Sequence, residues 1–187
     1  MGILIIVGIV ALLALVVVGV YNKYIKLKNL NQEGWSGVEV YLQKRWDLIP
    51  NLVNTVKGYA THESQTLENV IKMRSQVMSI DTKDIDNIEK VQKIENELTK
   101  TLRSIMMLQE SYPNLKADQS FLSLQSELSS IETDVQSARK YYNGTARHLN
   151  TFVETFPNNI MGNFLSFKTA KFFDADDQVH TVPEVKF

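Results

Sequence analysis

At 187 residues the chain has room for one ordinary domain, and two independent cores of typical size do not fit. Its 20 basic and 21 acidic side chains leave a net charge of -1, so no global basic field exists to hold a nucleic-acid backbone, and no nucleic-acid partner is expected. The absence of cysteine removes disulfide frameworks, Cys-ligated zinc, iron–sulfur clusters, thiol nucleophiles and acylated-cysteine anchors together.

Residues 1–21 contain no charged side chain, and 18 of the 21 are apolar. As a helix, residues 3–21 would run roughly 28 Å, close to the roughly 30 Å hydrocarbon core of a bilayer. The fourteen Ile, Leu and Val residues at positions 3–20 set an upper bound of roughly -4 to -8 kcal/mol on insertion. A cleaved signal peptide would place a basic segment before a shorter apolar run and a small-residue cleavage site after it. Here the α-amino group alone precedes the run and Tyr21-Asn22-Lys23-Tyr24 follows it, so residues 1–21 are expected to be a retained transmembrane anchor, in contact with membrane lipid through residues 3–21. Lys23, Lys26 and Lys28 stand just after the span, which predicts a single pass with the N-terminus outside and the C-terminal domain in the cytoplasm. Met1-Gly2 resembles the start of a myristoylation signal, but Ile6 occupies the position that needs Ser or Thr.

Residues 22–156 hold two prolines and no alternating Val/Ile/Thr-rich runs, so the pattern is helical. Trp35, Val38, Leu42, Arg45, Ile49, Leu52, Val56 and Tyr59 recur at alternating spacings of three and four, and the phase survives Pro50. That favours a kinked continuous helix, with a new start at Pro50 capped by Asp47 as the alternative. A shorter helix over 61–80 turns Leu67, Val70, Ile71 and Val77 inward, and a third over 84–111 has Ile88, Val91, Leu98, Leu102 and Ile105 on its seam, joined by Glu95 and Gln109. Tyr112-Pro113-Asn114 stops it. The strongest period lies over 117–156, where Phe121, Leu124, Leu128, Ile131, Val135, Ala138, Tyr142, Thr145, Leu149, Phe152 and Phe156 form a coiled-coil-like seam. Narrow stripes on long helices with short connections predict an antiparallel bundle. After Pro157 the chain changes character: Phe164, Phe167, Phe172 and Phe173 read either as a cap over the open end of the bundle or as a patch for another subunit, and the final segment to Phe187 has no helical phase.

The residues also resemble a known family. Arg45-Trp46-Asp47-Leu48-Ile49-Pro50-Asn51-Leu52-Val53, then Val56-Lys57-Gly58-Tyr59-Ala60 and His62-Glu63, resemble the signature block of the LemA family. Tyr112-Pro113-Asn114-Leu115-Lys116-Ala117, Phe121 with Leu124 and Glu127-Leu128, Ala138-Arg139-Lys140-Tyr141-Tyr142-Asn143 and Phe156-Pro157-Asn158-Asn159 match later blocks in the same order. One departure is Trp46, where the resemblance leads one to expect histidine or another polar residue. The resemblance implies a bacterial single-pass membrane protein with a cytoplasmic helical bundle, and it brings no catalytic site to transfer.

Candidate chemistry is sparse. His62-Glu63 begins like a zinc-protease motif, but Thr66 stands where the second histidine belongs. His148 and His180 are isolated, and Asp174, Asp176 and Asp177 lack the glycine and final glutamate of a calcium loop. The eight glycines form no phosphate loop, and Asn143-Gly144-Thr145, formally a glycosylation acceptor, falls inside a heptad-phased helix on the predicted cytoplasmic side. Arg45 on a seam needs a partner, and Glu95 occupies the seam of another helix, so the two are expected to pair and fix helix register. Asn51, Arg139 and Asn143 read as polar packing groups.

The expectation is therefore an all-α protein: anchor 1–21 continuing into a bundle over 22–173, and an extended C-terminal tail over 174–187. It is expected to be a membrane-anchored scaffold or structural protein of the bacterial inner membrane, with no catalytic residue, cofactor or metal. It should self-assemble as a homo-oligomer, with Gly8 or Gly19 at close helix contacts, the serines 123, 126, 129, 130 and 137 at lateral ones, and residues 164–187 docked on an adjacent subunit. Other envelope proteins are further candidate partners. The alternative is an accessory or regulatory subunit of a membrane-associated enzyme such as a protease, with Arg45, His62 and Glu63 in a cryptic site.

Overall fold

Helix α1 (Gly2–Lys57) carries both the apolar leader and the first wall of the bundle without a break. The computed structural model describes residues 1–173, among which there is no strand. Pro50 lies inside α1, and its missing N–H leaves the carbonyl of Trp46 without its helical donor. Arg74, on α2 (Ser64–Met78), fills that vacancy: its Nε donates to the Trp46 carbonyl at 2.8 Å. The helix thus runs through Pro50 because a neighbouring helix satisfies the group that proline orphans.

From the far end of α1 the chain turns through Thr61–Glu63 into α2, and α3 (Ile88–Met107) runs away again. The short α4 (Pro113–Lys116) crosses to α5 (Gln119–Glu154), which returns along the whole body of α1. Asp118 starts α5 as its N-cap, accepting from the Phe121 N–H at 2.8 Å and from the Tyr59 hydroxyl at 2.7 Å. Those N–H and O–H donors hold the Asp118 carboxyl below the usual carboxylate range. Cross-contacts fix the antiparallel register of α1 and α5: Tyr59 with Asp118, Arg45 with Glu132, Asn31 with Thr145, and Tyr24 beside Phe152. At Gly34 the two helices approach so closely that a Cβ would sit 3.1 Å from the Thr145 hydroxyl and 3.3 Å from the Tyr142 Cα.

The main core joins Trp35, Val38, Leu42, Ile49, Leu52 and Val56 of α1 to Leu67, Val70 and Val77 of α2, the α3 seam from Ile88 to Ile105, and Phe121, Leu128, Ile131 and Val135 of α5. The expected stripes are thus the buried ones, with physical exceptions at their edges. Tyr59 and Ile71 are exposed, and Leu124 and Ala138 are half-buried. Phe156 is a correction: α5 ends at Glu154, and Phe156 points to solvent rather than continuing the seam. After Pro157 the chain adds α6 (Asn158–Leu165), a helix that the sequence pattern did not single out within the bundle domain. Its eight residues are too few to display a period. The tail expected over 174–187 lies outside the described residues.

The body has two unequal regions. The loop joining α2 to α3 ends at the level of Trp35, whose indole N–H donates to the Thr82 carbonyl at 2.6 Å. Beyond Trp35 four helices surround the core. Between Trp35 and the apolar leader, α1 and α5 form a two-helix stalk with a separate small cluster of Tyr24, Leu149 and Phe152.

Candidate functional site

Two polar assemblies organise the body, one in each region. In the four-helix region Arg45 of α1 is buried on its seam and its guanidinium reaches both neighbours. One nitrogen donates to Glu95 Oε2 at 2.9 Å and to Thr99 Oγ1 at 3.2 Å, both on α3 and one turn apart, while the other donates to Glu132 of α5. The second Glu95 oxygen accepts the Trp46 indole N–H at 2.5 Å. Trp46 thus supplies the polar donor that the family resemblance led one to expect there, on a larger and buried ring. Burial pushes the Glu95 carboxyl above the usual carboxylate range; the Arg45 charge opposes this most, followed by the Trp46 N–H and the Arg139 charge.

Glu132 is the half-exposed member, and it opens on a groove of about 420 Å³ lined also by Arg103, Met106, Gln125 and Ser129. The inner groups are already satisfied by one another, so the arrangement clamps three helices in register. It holds no nucleophile poised against a base. His62 and Glu63 lie in the turn beyond α1, more than three helical turns along from Arg45, roughly 18 Å by helical rise to Lys57 alone. The structure therefore does not bring the three residues of the enzyme alternative together. Asn51 is exposed, as is His148 on α5, while His180, Asp174, Asp176 and Asp177 lie outside the described residues. Among the described residues no three His, Asp or Glu side chains gather in a way that would hold a metal ion.

The second assembly, on the stalk, binds the chain's own residues 166–173 as a strap. Asn150 donates to the Ala170 carbonyl at 2.9 Å and accepts the Ala170 N–H at 2.7 Å. Asn143 repeats this on Phe173, at 3.0 and 2.9 Å. Seven helical residues rise about 10.5 Å, and three extended ones span about 10 Å, so two asparagines a heptad apart match an extended strap running antiparallel to α5. Tyr142 donates its hydroxyl to the Lys171 carbonyl at 2.6 Å, and the Tyr24 hydroxyl accepts the Lys168 N–H at 3.0 Å. Phe167 stacks on Tyr24 with centroids 3.9 Å apart, and Phe173 meets the Trp35 edge at 5.4 Å with Arg139 over its face at 4.5 Å. This corrects the expected docking of residues 164–187 on another subunit as far as Phe173: Phe167 and Phe173 are held by their own chain, whereas Phe164 and Phe172 face outward.

Sequence reasoning placed Arg45 against Glu95 but missed Glu132, Arg74, Asn31, Tyr24 and Asn150. A signal existed for some of them. The spacing of three and four, continued backward from Trp35, reaches Asn31 and Tyr24, and Asn143 and Asn150 are a heptad apart beside the seam residues Tyr142 and Leu149.

These features define a class: a helical bundle built on one long helix with an apolar head and laced by its own C-terminal segment. The family model of LemA matches residues 34–187, and the chain belongs to the LemA family. It is 25% identical over 163 residues to Protein LemA of Metamycoplasma hominis, an alignment that covers 87% of this chain and 72% of that protein.

Proposed function

We propose that the chain is a membrane-anchored helical scaffold that assembles with copies of itself and has no catalytic activity of its own. The observation that carries this reading is α1: residues 1–19 are exposed throughout, apolar and uncharged, on the same unbroken helix whose later turns line the bundle core. An apolar surface of that extent requires a non-aqueous environment, and a bilayer matches its length. With no break between span and bundle, force or position at the membrane passes directly into the core. Lys23, Lys26 and Lys28 favour a cytoplasmic bundle and an outside N-terminus, in the inner membrane of a bacterial cell.

Self-assembly is supported by α5, along which Ser123, Ser126, Ser129, Ser130 and Ser137 are all exposed and uncharged. Gly8 and Gly19, with open space around them, offer close approach between neighbouring spans. Other envelope proteins are candidate partners for the same surfaces. The test is the mass of the full-length protein in mild detergents and in lipid, with a reporter fused after Phe187 to read topology. Discrete oligomers and a cytoplasmic reporter are expected. A monomer at all micromolar concentrations would overturn the assembly, and an external reporter the orientation.

A further inference from the structure

Beyond residue 21, the most exposed large apolar side chains among the described residues are Phe164 at 89% and Phe156 at 79%, followed by Ile160 and, on α3, Met107, both at 62%. Phe156, Ile160 and Phe164 fall at successive intervals of four residues, on α6 and just before it. The opposite side of α6 is turned to the bundle: Gly162 is buried against Phe167 and Val153, and the half-buried Asn158 donates to the Phe152 carbonyl at 3.1 Å. The helix is therefore docked on the bundle by one face, while no other described residue covers its apolar face.

Its position relative to the span is fixed by Phe167, which stacks on Tyr24 and lies 6.4 Å from the Tyr21 ring, in a cluster that includes Val20. Leu165, the last residue of α6, is two residues before Phe167 and so within about 7 Å of it. Thus α6 sits where α1 leaves its apolar segment. From Thr155 to Phe167 the sequence contains no charged residue, while Lys23, Lys26 and Lys28 on α1 and Lys168 on the strap are exposed, against one adjoining exposed acid, Glu154. An apolar, uncharged wedge at the end of a membrane span, with an excess of lysines on the adjoining segments, matches the layered chemistry of an anionic bilayer surface.

We propose that α6 is a second membrane contact, inserting Phe156, Ile160 and Phe164 into the lipid interface beside the span. The inference rests on reading α1 as a membrane anchor, and it gives the bundle two points of attachment, which fixes its tilt and rotation against the bilayer.

Because the chain has no cysteine, single-cysteine variants of the full-length protein can be labelled without further change. Phe164→Cys and Ile160→Cys report on α6, Ile9→Cys on the span, and Ser130→Cys on an exposed position of α5. Each carries an environment-sensitive fluorophore and is reconstituted in vesicles of phosphatidylethanolamine and phosphatidylglycerol containing lipid-attached quenchers at shallow or deep positions. The expected result is a blue shift at 160 and 164 with loss of intensity to the shallow quencher, loss at position 9 to the deep one, and neither at 130. If position 9 is quenched while 160 and 164 behave like 130, the α6 contact is wrong and the anchor stands. An unquenched position 9 removes the anchor and the contact together. Blue shifts at 160 and 164 without lipid quenching would mean that protein, such as a second copy, covers this face, and would overturn the proposal.

Discussion

Beyond Trp35 four helices enclose charged side chains that neutralise one another, whereas in the stalk two helices hold a length of backbone with neutral amides and phenols. The contrast follows from the number of walls. Three helices bring Arg45, Glu95 and Glu132 together from different directions, so Arg45 and Glu95 are buried and only Glu132 reaches the surface. A two-helix hairpin leaves its seam open along one side, and residues 166–173 supply the missing wall. That strap has its own N–H and C=O groups to satisfy, and the asparagine amide, which presents an NH2 donor group and a carbonyl acceptor side by side, is matched to both.

The sharpest way to separate the regions is Glu95→Ala, which leaves the buried Arg45 with only Thr99 and the half-exposed Glu132 and deprives the Trp46 indole of its acceptor. Breaking a buried pair from one side is expected to cost about 3–5 kcal/mol of unfolding free energy. Glu132→Ala, at the half-exposed end of the same network, should cost about 1 kcal/mol. Chemical denaturation of the full-length protein in detergent reads both. Equal losses would mean that the distinction between inner and outer members is false.

The stalk should respond differently, by releasing the strap while the four-helix region stays folded. In Asn143→Ala combined with Asn150→Ala, the amide pairs to Phe173 and Ala170 are lost, and local stability should drop by about 1–3 kcal/mol. Hydrogen exchange at residues 167–173 should accelerate, with the α3 seam unchanged. Global unfolding at lower denaturant, without local release, would show that the two regions are one cooperative unit.

How much of this was legible depends on period. Over α3 and α5 the spacing of three and four runs for many turns, so the buried stripe, and even Glu95 as the partner of Arg45, followed from phase. Arg74 was illegible because its role is to answer a carbonyl that Pro50 leaves open on another helix, a relation with no sequence period. The strap was hidden for a related reason: its recognition is by backbone groups, which are the same at every residue. Phe164, Phe167, Phe172 and Phe173 look alike in sequence, and only the fold separates the two that dock from the two that do not.

A pH titration sharpens the comparison from the stalk side. Burial raises the Tyr142 phenol from 10.0 to about 12, against a smaller lowering by its hydrogen bond with Asn31. Between these values the unfolded chain has lost the proton and the folded one keeps it. Folding then binds a proton, so this contribution is complete below pH 10.0 and is lost as pH rises toward about 12. With solvent screening discounted, the loss should be about 1–2 kcal/mol. Tyr142→Phe should flatten that part of the stability profile, and an unchanged slope would remove Tyr142 as its cause.

The smallest expected effect concerns the turn that aims the strap. Ser166 ends α6 at φ 57 and ψ 44, in the left-handed region, and the following Phe167 N–H donates to the Gly162 carbonyl at 2.8 Å. A residue with a Cβ is strained there by roughly 1 kcal/mol or more, and this is the position after a helix that glycine favours. Ser166→Gly removes the strain, but glycine also gives the unfolded chain more freedom, which offsets about half to all of the gain. The net should be a stabilisation of a few tenths of a kcal/mol, up to about 0.5. Its location matters more than its size: exchange should slow at residues 167–173 and leave the four-helix region untouched, because the turn governs only how often the strap leaves α5. Ser166→Val is the converse, since a β-branched side chain tolerates the left-handed region least, and exchange over the same residues should then accelerate. If glycine and valine shift strap exchange in the same direction, the backbone at Ser166 does not control docking.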